Sequence, residues 1–164
     1  MDNLIIFGAK YLVFSLPLLL VWLWRKLPAH RLEIAISLTL TGLIALALIQ
    51  IAGAIYDHPR PFAVKNIVPL VSHGNDNGFP SEHATYAASL AAIIYGYRRR
   101  WGIAAIGIAI LVGISRVLAD VHYPIDILAG LIIGAAAGCL AVWLARRICA
   151  SLLAKNSVKK DSDE

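Results

Sequence analysis

The sequence predicts an all-α fold, a polytopic integral membrane helix bundle with about five transmembrane helices. Three observations lead there. Of the 164 residues, 59% are hydrophobic and only 15% charged, with a mean hydropathy of +0.72. The apolar residues gather into five segments of spanning length, and the basic residues gather between alternate segments. A soluble chain is nearer half apolar and a quarter charged. The formal net charge of +5 is small and sits beside apolar segments, which fits membrane topology and argues against nucleic-acid binding.

The segments run over residues 4–24, 32–56, 81–97, 101–118 and 124–149. A helix crosses the hydrocarbon with about 20 residues, and roughly 17 to 25 suffice. The third and fourth segments are at the short end of that range. Helix is the state expected, because so few segments could not close a barrel. Met1-Asp2-Asn3 carries no basic run before the first segment, while Arg25 and Lys26 follow it. That order describes a first transmembrane helix with its N-terminus outside, not a cleavable signal peptide.

Orientation follows from the cations. Arg25, Lys26 and Arg31, then Arg98, Arg99 and Arg100, then Arg146, Arg147, Lys155, Lys159 and Lys160 are eleven of the fifteen Lys and Arg, all on one side. The positive-inside rule assigns that side to the cytoplasm. Residues 1–150 then form the membrane domain and 151–164 a polar, mobile cytoplasmic tail. The loop over 57–80 faces outward, and its Pro59, Pro61, Pro69, Gly74, Gly78 and Pro80 argue against a regular element. In the fifth segment Gly130, Gly134 and Gly138 recur every fourth residue, a small-residue face suited to close helix contact. Cys139 and Cys149, ten residues apart on one helix, are too distant for a disulfide and read as packing residues.

Four of the five histidines, His58, His73, His83 and His122, fall on the outward side, as do Arg60, Arg116, Asp57, Asp76, Glu82, Asp120 and Asp126. Wet loops collect polar residues, and that accounts for His73, Asp57 and Asp76. It accounts poorly for Arg116 and Asp126 at the ends of apolar helices, and for His83 early in another. A charge this close to lipid is expensive. If the helices bundle, Arg60-Pro61, Pro80-Ser81-Glu82-His83 and Ser115-Arg116 with His122 and Asp126 meet at one rim.

Two arginines suit a phosphate, whose oxygens match paired guanidinium donors. Ser81 opens a helix whose free N–H groups favour an anion. His122 and Asp126 flank Pro124 four residues apart, so the carboxylate can accept from one ring nitrogen and leave the other to attack. His83 is then the acid for the departing oxygen. The set describes phosphoryl transfer through a phosphohistidine, needing no metal or other cofactor, on a phosphate carried by a lipid. A metal site on His58, His83, His122 and Asp126 is the competing chemistry. It is disfavoured because two arginines beside a cation repel it.

These residues resemble a known family. R-P, then P-S-x-H, then S-R-x5-H-x3-D, in that order on membrane helices, is similar to the type 2 phosphatidic acid phosphatase superfamily. The resemblance implies His122 as nucleophile, Asp126 as its partner and His83 as general acid. It also implies Arg60, Ser81 and Arg116 as phosphate ligands and no metal. Two positions depart from the pattern. The family usually has a lysine seven residues before the first arginine, where this chain has Gly53, with Lys65 or His58 as replacement cations. Glu82 stands where the second motif usually has glycine. With HPRPF before it and a loop ending FPS, Glu82 looks like the bacterial undecaprenyl-diphosphatase branch, which includes proteins linked to bacitracin resistance.

The resemblance therefore implies hydrolysis of undecaprenyl diphosphate to undecaprenyl phosphate in a bacterial inner membrane, serving cell-wall synthesis from an outward-facing site. Within the family the alternatives are a phosphatidylglycerophosphate or phosphatidic acid phosphatase, or a lipid phosphotransferase. Outside it, the alternative is a non-enzymatic helical membrane protein such as a transporter subunit. The partners expected are the polyprenyl diphosphate and membrane lipids, not nucleic acid.

Overall fold

The computed structural model describes residues 1–162, with side chains through residue 155. Among the described residues seven α-helices follow one another: α1 (Asp2–Lys10), α2 (Ser15–Lys26), α3 (Arg31–Ile55), α4 (Pro61–Lys65), α5 (Glu82–Tyr97), α6 (Arg99–Leu118) and α7 (Pro124–Ser162). The extended contact nearest to sheet structure among the described residues is one isolated antiparallel bridge, Pro59 with Asn77.

The all-α membrane bundle is as expected, and two of the five apolar segments differ in detail from single spanning helices. The first apolar segment is broken: α1 and α2, joined by a 3-10 turn over Leu12–Phe14, bend by 42°. Three helices are long and apolar enough to cross a membrane, and the bent pair makes up to four. The remaining segment, α5, has 16 residues, about 24 Å of helix against roughly 30 Å of hydrocarbon. It need not face lipid along its length, because α3, α6 and α7 pack around it. The fifth segment overshoots the other way, since α7 continues into the polar stretch as far as Ser162. Residues 163 and 164 of the expected tail lie outside the described residues.

Small side chains let α5 and α7 approach. Gly130, Gly134 and Gly138 face the backbone of Ser81, Thr85 and Ser89 in turn, so a Cβ at any of the three would collide with a carbonyl oxygen. The Thr85 and Ser89 hydroxyls donate back to Ser81 O and Thr85 O at 2.9 and 2.8 Å, satisfying polar groups that lipid could not. Gly134→Val should therefore force the two helices apart. Overpacking of this kind costs about 1–3 kcal/mol, so a melting temperature lower by about 5 °C in detergent is expected; an unchanged melting temperature would refute the contact.

The bundle is apolar at one end and polar at the other. Leu16, Leu20 and Leu23 of α2, Ile34 of α3, Ile93 and Ile94 of α5 and Val142 of α7 build the main core. A second cluster, Ala9, Val71, Ala119 and Val121, fastens the 57–80 loop to α1 and to the α6–α7 turn. At that end the buried residues include Arg60, Ser81, Arg116, His122 and Asp126.

Candidate active site

Arg60 precedes Pro61, which holds it extended and starts α4. Its buried guanidinium donates from Nε to Asp76 Oδ1 at 2.7 Å, from Nη1 to Val121 O at 3.0 Å and from Nη2 to Asn77 O at 3.4 Å. Arg116, in the last turn of α6, donates from Nη1 to Ala9 O at 3.3 Å, so α1 anchors it. Its Nε is buried without a partner.

Both arginines converge on one atom. His122 Nε2 lies 3.2 Å from Arg60 Nη1 and 3.4 Å from Arg116 Nη2. Guanidinium only donates, so Nε2 must present its lone pair. The other ring nitrogen, Nδ1, is 3.0 Å from Gly78 O, which only accepts, so Nδ1 carries the proton. Burial first, then Arg116 and Arg60, push the imidazole below its ordinary pKa, with Asp126 opposing. His122 is thus neutral, with a free lone pair between two cations.

Asp126 departs from the sequence expectation in detail. Its Oδ2 is 3.6 Å from His122 Nδ1, too long for a hydrogen bond, so the nearer orienter of the ring is the Gly78 carbonyl. Asp126 instead accepts from Tyr123 N on Oδ2 at 2.8 Å, closing the first turn of α7, and from His58 Nδ1 on Oδ1 at 2.7 Å. His58, stacked on Tyr123 with ring centroids 4.7 Å apart, therefore stands behind Asp126 and does not replace a phosphate-binding lysine. No spacing rule could have found a pair separated by 68 positions.

A cavity of about 370 Å³ opens over His122, lined by Arg60, His73, Asp76, Glu82, His83 and Arg116, and also by Gly53 and Gln50 of α3. His83 and Glu82 thus reach the site from the first turn of α5. Ser81 is fully buried beneath them, its Oγ accepting from Ala84 N at 3.5 Å as the α5 cap, and it is not among the cavity residues. Ser115 also turns away: its Oγ donates to Leu111 O at 2.8 Å on the side that meets Gly8. Lys65 pairs with Asp120 at 2.5 Å on the surface, so it does not supply the cation absent at Gly53. No group of three or more His, Cys, Asp or Glu among the described residues is placed to hold a metal ion.

Two cavity residues, His73 and Asp76, are ones that the sequence assigns to a wet loop. Asn77 explains how that loop is held over the site. Its side chain accepts from His58 N and Phe79 N at 3.0 and 2.8 Å and donates to Gly53 O and Tyr56 O, both at 3.0 Å.

The chain is similar to known proteins over most of its length. The PAP2 superfamily pattern matches residues 31–148. The chain is 36% identical over 152 residues to the putative undecaprenyl-diphosphatase YbjG of Escherichia coli (strain K12), covering 88% of this chain and 75% of that protein. Undecaprenyl-diphosphatase BcrC of Bacillus subtilis (strain 168) is 26% identical over 140 residues, covering 85% and 72%. Among solved structures, the first transmembrane PAP2 type phosphatidylglycerolphosphate phosphatase from Bacillus subtilis superposes with a TM-score of 0.64 at 27% identity, covering 89% of this chain and 75% of that one.

Proposed function

The chain belongs to the PAP2 superfamily and is a membrane lipid phosphatase, and from that premise we propose that it hydrolyses undecaprenyl diphosphate to undecaprenyl phosphate through a phosphohistidine on His122. The observation that carries this reading is the convergence of Arg60 and Arg116 on the unprotonated Nε2 of His122. When a terminal phosphate enters, its oxygens take over those donors and release the lone pair. Burial first, then Arg116, hold the His83 pKa down to about 4, so His83 takes up its proton as the phosphate's negative charge enters. Nε2 then attacks the phosphorus in line, the bond to the bridging oxygen breaks, and His83 gives that oxygen its proton. Arg60 and Arg116 hold the equatorial oxygens as charge spreads over them. The Nδ1–H bond to Gly78 O, with Asp126 alongside, stabilises the ring as it becomes cationic. Water, losing a proton to His83, then attacks the phosphorus and releases inorganic phosphate, which restores the starting site.

The site lies at the end of the bundle opposite Arg25, Lys26 and Arg98 to Arg100, which supports an outward-facing site with the C-terminus in the cytoplasm of a bacterial inner membrane. Gln50, Gly53 and Ala54 bring the cavity wall to the end of a spanning helix, where a substrate anchored in lipid can present its head group. The test is phosphate release by purified protein from undecaprenyl diphosphate, phosphatidylglycerophosphate and phosphatidic acid, with and without chelator. Faster turnover of the diphosphate, unaffected by chelator, is expected. Preference for a monophosphate lipid would overturn the substrate, and loss with chelator would overturn the metal-independent scheme.

A further inference from the structure

His73 lines the catalytic cavity, yet the scheme above leaves it without work. Its ring is set edge-on to His122, with centroids 6.1 Å apart and planes at 77°. Its Nδ1 is buried with no hydrogen-bond partner. The nearest carboxylate oxygen, Asp76 Oδ1, is 3.8 Å away and already accepts from Arg60 Nε at 2.7 Å. A buried ring nitrogen beside a carboxylate but short of bonding it calls for an explanation. It has one if the ring is held ready for a second protonation state.

We propose that His73 is a phosphate ligand of this site, its Nε2–H donating to a non-bridging oxygen of the bound substrate while Nδ1–H closes onto Asp76. The inference rests on the phosphatase reading of the cavity. The charged and titratable groups around the ring are Arg60 ahead of α4, Asp76 in its own loop, Glu82 and His83 at the start of α5, Arg116 of α6 and His122. Burial, then Arg60 and Arg116, push the imidazole down to about 4, against the pull of Asp76. Without bound phosphate His73 is therefore neutral. An entering phosphate neutralises both guanidiniums, and its own negative charge beside the ring offsets the cost of burial, so the ring takes up a proton from bulk water. Only in that state are both nitrogens donors, one to Asp76 and one to the phosphate. The cavity so gains a third cation from its own lining, which contains neither Lys65 nor His58.

Sulfate, which does not titrate near neutrality, is the probe. Calorimetry on the full chain in detergent at pH 6.5, in buffers of different ionisation enthalpy, reads protons taken up per sulfate bound. The wild type is expected to take up about one more proton than His73→Gln, which keeps a donor but cannot titrate. His73→Ala should bind sulfate about tenfold more weakly, the loss of one charge-assisted hydrogen bond. With the lipid diphosphate, His73→Gln should raise KM about tenfold and leave kcat within about threefold. Equal proton uptake by wild type and His73→Gln, or a fall in kcat with sulfate affinity intact, would overturn the proposal. A wild type that binds sulfate with the uptake described but releases no phosphate from any lipid would instead overturn the phosphatase reading.

Discussion

His122→Ala is expected to lower phosphate release by at least about four orders of magnitude, the scale on which loss of a covalent nucleophile is felt. The side chain is buried, with its two nitrogens committed to different tasks. Alanine removes the attacking atom and leaves Gly78 O without its donor. Arg60 keeps Asp76, Val121 O and Asn77 O as partners and Arg116 keeps Ala9 O, so the fold and phosphate binding should survive. Two measurements check the assignment. Rapid quench with labelled substrate should trap acid-labile phosphate on the wild type and none on the variant. The wild-type pH profile should show an acid limb below pH 6.5, because burial and the arginines hold the His122 pKa under its ordinary value and the ring must be neutral to attack. The same lowered value means that the unfolded chain binds more protons, so acid also erodes stability as pH falls below 6.5. Label retained on His122→Ala, or an acid limb centred above pH 7, would contradict the role.

Arg116→Lys should cost about 10²–10³ in kcat/KM, as expected for loss of an oriented donor to transition-state charge. Lysine keeps the charge but not the fork, which here spans from the Ala9 carbonyl to His122 Nε2, with Nε left over for a ligand. One ammonium cannot hold α1 and a phosphate in those directions together. The loss should fall mainly on kcat, because guanidinium geometry matters most when charge spreads over the equatorial oxygens. Arg116→Lys with activity within tenfold of wild type would show that charge alone suffices and that the convergence on Nε2 is incidental.

Much of the site was legible because its residues lie close together in sequence or carry unusual cost. Arg116, His122 and Asp126 fall within eleven positions at the junction of two apolar helices, where a buried charge calls for a reason. Arg60 and His83 were legible through R-P and P-S-x-H. Ser81 and Ser115 were less so, because in a helix a hydroxyl also serves nearby backbone groups: Ser81 Oγ accepts from Ala84 N and Ser115 Oγ donates to Leu111 O. His58 and His73 were hidden for the opposite reason. In an irregular loop no periodicity tells which way a side chain points, and wet-loop polarity was an adequate explanation until the loop closed over the cavity.

The sequence by itself determined the helical state, the two polar motifs at the ends of α5 and α6, the motif at the start of α7 and the small-residue face of α7. Each is local: hydrophobic length selects helix in a membrane, and motif spacing selects the chemistry. Tertiary structure alone decided that α1 breaks away from α2 and lends Ala9 O to Arg116, that Gly78 O and not Asp126 is the nearest orienter of His122, and that His58 backs Asp126 while His73 faces the catalytic ring. Those choices depend on where the 57–80 loop comes to rest. That loop is placed by Asn77 bonding across 24 positions to Gly53 and by packing of Val71 against Ala9 and Ala119, contacts that no window along the chain contains.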